Sequence, residues 1–453
     1  MSGIYNFNGR IETTYPEVSS ATEGYINDYY DRIYKSAKES IAKSAGAAGY
    51  GWRGTNYPNQ ETAYFNAVMG KELMFAMYTG ENFYAATPTR PYGHEGVRIA
   101  TKLATYGKDA SGKFVGVGAS TVREGTISST YRMPVAEFRM PWKEIDFAFD
   151  YGLGLQALEN KDDDVMAKKA YCNQMAVTFS NNIDRTILRP LGAGQPVKFE
   201  ESTGATVETS LNSVYRCIAS GLEVGVDSNN QPKKRKNSLY NNGVPQYEPL
   251  TEAMVSPFGG FDGDFYKYRS GGANHKKNNL DGQLIDLEGG VISLADIKRL
   301  KMACSMNWEG KYTNKAFLFS PVLANKISTL MLANNVLIGQ EYVSKDFNGI
   351  SLTPGREIGF QANIVEGIPV LEDPNICFNY EDEAPSITEM GDATLLDFDH
   401  FWISLLTPLE MYTNNDPIIM KEYKEHNLMH MRCETRIDKF ITSGRITGIQ
   451  DDA

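Results

Sequence analysis

The sequence predicts a mixed α+β fold in which helices and strands do not alternate regularly. Several segments repeat apolar residues at helical spacing, whereas roughly the last forty residues consist mainly of extended patterns. No period of 20–50 residues recurs, which argues against a solenoid or propeller. Because the strands are not separated by regular helices, a parallel βαβ architecture is not expected.

Composition places the chain among folded proteins of two to three domains. It has 453 residues, of which 42% are hydrophobic and 22% are charged. The net charge of −11 and the pI of about 5.2 give no overall attraction to nucleic acid, so any such contact has to be local. The five cysteines are scattered singly, which favours free thiols in a reducing interior. Neither a secretory signal nor a membrane helix is predicted.

Two helices are predicted in the N-terminal region. The first covers about Glu23–Lys43 and is followed by a second over Gln60–Tyr78. The predicted inward-facing residues of the first are Ile26, Tyr30, Ile33 and Ala37, and those of the second are Ala63, Ala67, Glu72 or Leu73, and Met77.

A long hairpin is predicted over Arg98–Met140, after the proline-broken segment Thr87–Pro91. Its two β arms flank the polar turn Gly107-Lys108-Asp109-Ala110-Ser111-Gly112. So few of its residues are apolar that the hairpin cannot bury itself. We therefore expect it to pack on neighbouring copies of the chain, which points to assembly rather than catalysis.

One long helix is predicted over Lys161–Leu188, with a length of about 42 Å at ~1.5 Å per residue. Asn160 is the expected N-cap, and Pro190 and Gly192 end the helix. Negative charge in the first turn comes from Asp162, Asp163 and Asp164. The apolar stripe consists of Val165, Cys172, Ala176, Phe179, Ile183 and Ile187.

The C-terminal half opens with a segment, Leu222–Asp286, that is rich in Asn, Gly, Pro and Lys and is expected to be an irregular insertion. A helix from Ser293 follows, with Leu294, Ile297, Leu300 and Cys304 on one side. Next come a buried strand, Ala316–Phe319, and a helix that Ser320-Pro321 starts and that runs to about Leu332. Strands are predicted at Ile364–Leu371 and Thr394–Leu406, and Pro417 breaks the final β region.

Two short motifs match enzyme patterns without the context that the chemistry needs. Gly49-Tyr50-Gly51-Trp52-Arg53-Gly54 fits the dinucleotide pattern, but it follows a helical segment and carries bulky residues, so a flexible turn is the preferred interpretation. Ser40-Ile41-Ala42-Lys43 fits S-x-x-K, but the companion motifs of serine acyltransferases are missing.

Three charged or metal-binding patterns have ordinary alternatives. His426, His430 and Cys433 would gather on one face of a helix, yet the local alternation favours a strand that separates the cysteine from the histidines. Lys233-Lys234-Arg235-Lys236 is either a solvated loop or a contact to a subunit or to nucleic acid. Asp262-Gly263-Asp264 and Glu381-Asp382-Glu383 lack the full spacing of a calcium loop.

The sequence therefore supplies no candidate catalytic, cofactor-binding or metal-binding residues. No group of residues combines a nucleophile, a base and an orienting partner, and no cofactor is predicted.

The order of these elements resembles the major capsid proteins of tailed viruses, which have the Hong Kong 97-type fold. The C-terminal order is the most specific part of the resemblance. It is carried by Ser293–Ser305, Ala316-Phe317-Leu318-Phe319-Ser320-Pro321, Glu366-Gly367-Ile368-Pro369-Val370, Leu396-Asp397-Phe398-Asp399-His400-Phe401 and Arg432–Ile449. No residues match the lysine–asparagine cross-linking arrangement of the namesake.

The resemblance implies a division of the chain into the parts of a shell subunit. These parts are an N-terminal arm (1–54), a first part of the peripheral domain (55–97), an extended hairpin loop (98–140), a spine helix with more of the peripheral domain (141–200), an axial domain (201–393) with the insertion at about 222–286, and return strands of the peripheral domain (394–453).

The resemblance also implies a structural role and no enzymatic activity. The protein would assemble in the host cytoplasm into hexamers and pentamers of an icosahedral virion head. Its partners would be other copies of itself, a portal and other head proteins, and packaged double-stranded DNA held weakly on the inner face, with no membrane. The alternatives are an encapsulin-like nanocompartment shell and an enzyme with a dispersed active site. A tail or decoration protein does not fit the order of elements.

Overall fold

The computed structural model describes part of the chain, which divides into two compact units. The described residues are 2–5, 11–14, 23–33, 35, 70, 72–74, 76–78, 82–91, 97–100, 106–108, 114–116, 137–140, 143–151, 176–191, 197–200, 205–208, 212–241, 244–255, 282–306, 308, 314–333, 364–379, 382, 384–414 and 425–451. Unit 1 consists of Met1–Glu95, Trp142–Ile183 and Ser404–Cys433, and unit 2 consists of Gly96–Pro141, Asp184–Ile403 and Glu434–Ala453.

Helices and strands are both present, which confirms the mixed fold class. The described strands are β1 (Ser2–Tyr5), β2 (Ile11–Thr14), β3 (Thr89–Pro91), β4 (Val97–Ala100), β5 (Tyr106–Lys108), β6 (Phe114–Gly116), β7 (Glu137–Met140), β8 (Lys143–Tyr151), β9 (Val197–Glu200), β10 (Ala205–Glu208), β11 (Lys234–Asn241), β12 (Val244–Pro249), β13 (Gln283–Gly290), β14 (Lys315–Phe319), β15 (Ile364–Val365), β16 (Ile368–Glu372), β17 (Phe378–Asn379), β18 (Ala384–Pro385), β19 (Ala393–Asp397), β20 (Phe401–Asn414), β21 (Glu425–Ile437) and β22 (Gly444–Ile449). The described α-helices are α1 (23–33), α2 (the described residues within 70–77), α3 (Phe83–Ala86), α4 (176–187), α5 (Val214–Cys217), α6 (Glu252–Val255), α7 (Leu294–Ser305) and α8 (Pro321–Ala333). Short 3-10 helices cover Gly221–Glu223, Pro374–Cys377 and Phe440–Thr442.

Unit 1 contains a four-stranded sheet with the strand order β3-β20-β21-β8. Helix α1 lies against β20, because the hydroxyls of Tyr25 and Tyr30 donate to the backbone oxygens of Leu406 and Leu409. Ile26 and Tyr30 are buried as predicted, whereas Ile33 is only partly buried. Ala37 and most of the predicted C-terminal part of this helix lie outside the described residues.

The second predicted helix and the short α3 contribute further buried residues to unit 1. Leu73 and Met77 are buried, which confirms the predicted inner face and selects Leu73 over the exposed Glu72. Asn82 caps α3 by accepting from the backbone N–H of Ala85 at 2.9 Å. Ala63 and Ala67 lie outside the described residues, as do the G-x-G-x-x-G and S-x-x-K motifs.

Helix α4 corresponds to the C-terminal part of the predicted long helix. The described part of its predicted apolar stripe is confirmed, since Ala176, Phe179, Ile183 and Ile187 are all fully buried. The helix ends three residues before Pro190, as the proline rule requires. The predicted start, with Asn160 and the three aspartates, lies outside the described residues. Val165, Cys172 and Gly192 lie outside them as well.

The predicted hairpin over Arg98–Met140 is present as two antiparallel strand pairs. Its base is formed by β4 and β7, with Val97 opposite Met140 and Ala100 opposite Glu137. Nearer the tip, β5 pairs with β6, so that Tyr106 faces Gly116 and Lys108 faces Phe114. The pairing corrects the predicted turn, because Gly107 and Lys108 belong to a strand.

Unit 2 is built on a six-stranded mixed sheet with the strand order β13-β22-β19-β14-β16-β15. The pairs β13–β22 and β14–β16 are parallel, and the other pairs are antiparallel. The core of this unit joins sheet residues to α7 and α8. Its members include Ile297, Leu300, Cys304, Trp308, Phe317, Phe319, Leu323, Ile327, Val370, Leu395 and Ile446.

The two helices on this sheet begin as the sequence predicts. Ser293 and Asp296 cap the start of α7, where the Ser293 hydroxyl donates to the Asp296 carboxylate at 2.6 Å. Ser320 accepts from the backbone N–H of Leu323 at 3.1 Å, and Pro321 is the first residue of α8. Leu294 is partly buried, whereas Ile297, Leu300 and Cys304 are fully buried.

Three predicted segments differ from the structure. Within the predicted irregular insertion, β11 and β12 form a hairpin and β13 enters the sheet. The predicted strand Ile364–Leu371 is a hairpin, because Glu366 and Gly367 have φ of 54° and 77°, as two-residue hairpin turns require. The predicted strand Thr394–Leu406 is interrupted between β19 and β20. Among the described residues no helix has the length and apolar character of a membrane span.

Candidate functional site

The basic run Lys233–Lys236 enters strand β11, so its interpretation as a solvated loop is wrong. The Arg235 guanidinium lies 3.0 Å from the carboxylate of Asp286 and donates to the Thr447 hydroxyl at 2.8 Å. The Asp286 carboxylate is also 3.6 Å from the Lys233 ammonium. The backbone alternation of the strand brings Arg235 to the sheet, while Lys234 is exposed.

Arg445 on β22 connects this hairpin to two further carboxylates. Its side chain is 1% exposed and donates to Asp392 at 2.9 Å and to Glu223. Glu223 is fully buried and lies 3.9 Å from Arg235. We call these five residues, Glu223, Arg235, Asp286, Asp392 and Arg445, the β22 charge network.

Lys236 makes a separate pair of ionic contacts at the end of the chain. Its ammonium lies 2.6 Å from Asp451 and 3.1 Å from Glu389. Asp451 also accepts from the backbone N–H of Met390 at 3.2 Å. The basic run therefore fixes its hairpin to the last strand and to the segment that precedes β19.

Burial and ion pairing act in opposite directions on the charges of the network. Burial opposes the charged form of Arg235, but the carboxylates of Glu223, Asp392 and Asp286 raise its pKa above the usual value. Burial also opposes the ionisation of Asp286, but Arg235 lowers its pKa below the usual range. The pKa of Asp392 is raised, because burial outweighs the attraction of Arg445 and Arg235.

A cavity of about 150 Å³ lies beside these residues. Its walls include Tyr215, Arg235, Lys236, Cys377, Glu389, Asp392, Arg445 and Asp451. Burial raises the pKa of the Cys377 thiol well above the usual range, so the thiol is held in its unreactive protonated form. The cations Arg235, Lys236 and Arg445 of the wall are each paired with carboxylates, an arrangement that joins strands and does not activate a nucleophile.

A second buried ionic site lies where β14 begins and β19 ends. Lys315 stands directly opposite Asp397 in the antiparallel register, and both side chains are 1% exposed. The Lys315 ammonium donates to Asp397 and lies 2.9 Å from Asp399. We call Lys315, Asp397 and Asp399 the Lys315 site.

The other metal and acidic patterns are not gathered into a site among the residues that the structure describes. His426, His430 and Cys433 lie on strand β21, as the alternation predicts, with His430 opposite Asp146 and Cys433 opposite Lys143. Asp382 is exposed and accepts from the amide of Asn379 at 2.7 Å. Asp262-Gly263-Asp264 lies outside the described residues. Within the described part of the chain, no cluster of His, Cys, Asp and Glu is arranged to hold a metal ion.

Sequence reasoning overlooked most members of both ionic sites. Arg235 is separated by 51 residues from Asp286 and by 212 residues from Thr447. No local pattern encodes a contact over such distances. Lys315 did carry a usable signal, because it is the first residue of a strand that is otherwise apolar and buried.

No protein-family model and no curated protein sequence matches this chain. Solved structures do show similarity. A chain of the satellite phage P4 procapsid, which includes the size determination (Sid) protein, is 8% identical, with 92% of this chain and 97% of that chain covered and a TM-score of 0.36. The SrpI encapsulin complex from Synechococcus elongatus is 8% identical, with coverage of 90% and 95% and a TM-score of 0.41.

A third similar structure is that of Mycobacterium phage Patience, at 9% identity, with 86% of this chain and 90% of that chain covered and a TM-score of 0.36. Because each identity is below 25% and each TM-score is below 0.5, the function proposed next rests on the chain's own residues.

Proposed function

We propose that this protein is the major capsid protein of a tailed virus and that it builds a shell with the Hong Kong 97-type fold. The observation that carries the proposal is the hairpin that spans β4 to β7. Its two strand pairs, β4–β7 and β5–β6, are each two-stranded within the described part of the chain.

A two-stranded hairpin is at best marginally stable in water, because it has no third strand or packed face to cover its edges. Its edges also carry backbone N–H and C=O groups that can pair with another chain. Neighbouring copies would cover this surface in an assembly. Many such contacts, repeated by symmetry, would sum to a stable shell although each one is weak.

The order of the remaining elements supports the same proposal. The hairpin precedes α4, the six-stranded sheet with α7 and α8 follows, and the chain closes with long strands. In this proposal residues 1–54 are the arm, 55–97 and 141–200 belong to the peripheral domain with its spine helix, 201–393 are the axial domain, and 394–453 return to the peripheral domain.

Shells of this kind would consist of hexamers and pentamers around double-stranded DNA, with a portal at one vertex. The net charge of −11 suits a container that holds DNA without adhering to it. Assembly would take place in the host cytoplasm and the product would be the virion head. The ionic pairs of unit 2 serve structure in this proposal, and no catalytic role is assigned.

Electron microscopy of the purified protein tests the proposal, together with sedimentation over a range of concentration and salt. We expect rings, tubes or closed shells. Nucleic acid inside the shells would support a virus head, whereas an enclosed protein cargo would favour an encapsulin-like compartment. A chain that stays monomeric under all conditions would refute the shell, and a small discrete oligomer stabilised by a ligand would favour an enzyme.

A variant with a shortened hairpin tests directly whether the hairpin is needed for assembly. The variant replaces residues 101–136 with Asn-Gly, so that Val97–Ala100 and Glu137–Met140 still pair. We expect the subunit to remain folded, with a circular dichroism spectrum that differs from the wild type only by the loss of the deleted segment. We expect no closed shells. The matched control replaces residues 201–204 with Asn-Gly between β9 and β10, another two-stranded pair, and should assemble. Normal shells from the shortened variant would show that the hairpin is not the assembly element.

A further inference from the structure

The Lys315 site places an amine and a carboxyl group in the geometry of a bond-forming pair. Lys315 and Asp397 are cross-strand partners on neighbouring antiparallel strands, and both side chains are almost completely buried. The Lys315 amine donates to one carboxylate oxygen of Asp397. The other oxygen, Oδ2, is buried and accepts no hydrogen bond within the described part of the chain.

A second carboxylate stands beside the same amine. The Oδ2 atom of Asp399 lies 2.9 Å from the Lys315 Nζ, while the amide of Asn314 donates to the Oδ1 atom of Asp399 at 2.8 Å. The backbone N–H of Asp399 also donates to Asp397 Oδ1 at 3.0 Å. The Asp399 carboxylate is thereby held beside the Lys315 amine, and the Asp399 backbone is held beside Asp397.

The surroundings of this pair are largely apolar. The Trp308 ring lies 5.7 Å from the Lys315 Nζ, and the apolar core of unit 2, with Cys304 and Phe317, is adjacent. Water is largely excluded from the pair, because both side chains are only 1% exposed.

We propose that Lys315 and Asp397 condense within one chain into an isopeptide bond, with Asp399 as the proton-transferring catalytic residue. A proton first passes from the Lys315 ammonium to the Asp397 carboxylate. The neutral amine then attacks Cγ of Asp397 and forms the N–C bond. Asp399 takes a proton from the attacking nitrogen and delivers it to the leaving oxygen. The C–O bond breaks and one water molecule leaves, so that atoms and charge balance without any co-reactant.

The proximity of the two groups favours this reaction. A well-oriented intramolecular pair reacts with an effective concentration of about 10⁵ M or more. The strand register fixes both partners before the reaction, and the apolar core limits the water available for the reverse hydrolysis. The bond would join β14 to β19 at the end where their side chains meet. This inference does not depend on the proposed shell function.

The mass of the intact, unfolded wild-type protein is the first test. We expect it to be lower than the sequence mass by one water molecule. Trypsin should then fail to cut after Lys315, and the peptide 312–326 should be found joined to the peptide 357–421. A folded protein with the full sequence mass and free peptides would overturn the proposal.

Three variants separate this reaction from other losses of water. Lys315→Arg should have its full sequence mass, and a deficit that persists there would place the dehydration elsewhere in the chain. Asp399→Asn should stay uncondensed, since an amide cannot relay the proton, and a complete deficit would remove Asp399 from the reaction. Asp397→Asn should lose ammonia in place of water, because the amide nitrogen becomes the leaving group.

The contact between Lys236 and Asp451 is a matched internal control. It also joins a lysine to a carboxylate at 2.6 Å with a second carboxylate, Glu389, at 3.1 Å. Its side chains are 20% and 39% exposed, so water reaches both of them. We expect the Lys236 peptide to be unmodified in the same digest. A cross-link at Lys236 as well would show that burial is not the condition for the reaction.

Discussion

Replacement of Arg445 by methionine should destabilise unit 2 strongly, because it leaves a buried carboxylate without its main partner. The wild-type guanidinium donates to Glu223, which is fully buried, and to Asp392 at 2.9 Å. Breaking a buried ion pair from one side costs about 3–5 kcal/mol. Arg235 remains 3.9 Å from Glu223 and offsets part of this cost. We therefore expect a loss of about 3 kcal/mol in the free energy of unfolding.

Urea denaturation of the dissociated subunit, followed by circular dichroism, measures this loss. The double variant Glu223→Leu with Arg445→Met replaces both charges by apolar side chains, and we expect it to recover most of the stability. The matched single variant Glu223→Leu removes the other partner. A loss below about 1 kcal/mol for Arg445→Met would contradict the burial argument. So would a double variant whose loss in free energy of unfolding equals the sum of the losses of the two single variants.

Two further predictions concern the same region. Arg235 holds the pKa of Asp286 below its usual range, so the stability that this carboxylate contributes is present above pH ~4 and is lost as the pH falls through its lowered native value. Asp286→Asn should flatten that acid dependence in denaturation curves measured at several pH values, and an unchanged slope would refute the pairing. Gly448→Ala should cost about 2–3 kcal/mol, because Gly448 has φ of 65° and a Cβ would lie 2.6 Å from Asp286 Oδ1 and 2.8 Å from the Glu288 nitrogen. Gly367→Ala, at φ of 77° with open space, is the control and should cost only about 1 kcal/mol; equal losses would contradict the steric reason.

The elements that the sequence predicted well are those with local signals. Ser293 with Asp296 and the dipeptide Ser320-Pro321 start α7 and α8 where caps were expected. The stripe that includes Phe179 and Ile183 is buried, because the 3.6-residue period alone decides which side of a helix is apolar.

The β11–β12 hairpin was missed because its strands carry charges in place of an alternating apolar pattern. The sequence between the paired strands, Asn242-Gly243, was an available signal, since this dipeptide is typical of two-residue hairpin turns. The role of Arg235 was not accessible in the same way. Its partners come from other strands that reach it only once the sheet has formed.

The sequence by itself determined the mixed fold class, the starts of the main C-terminal helices, the antiparallel hairpin and the strand that contains Cys433. Each of these depends on residues near one another in the chain, so local periodicity and capping suffice. Only the tertiary structure decided that the basic run is fixed to β22 and that Lys315 faces Asp397, 82 residues away. Those pairings depend on strand order and register, and the free energy of burial that sets them is shared among segments far apart in sequence.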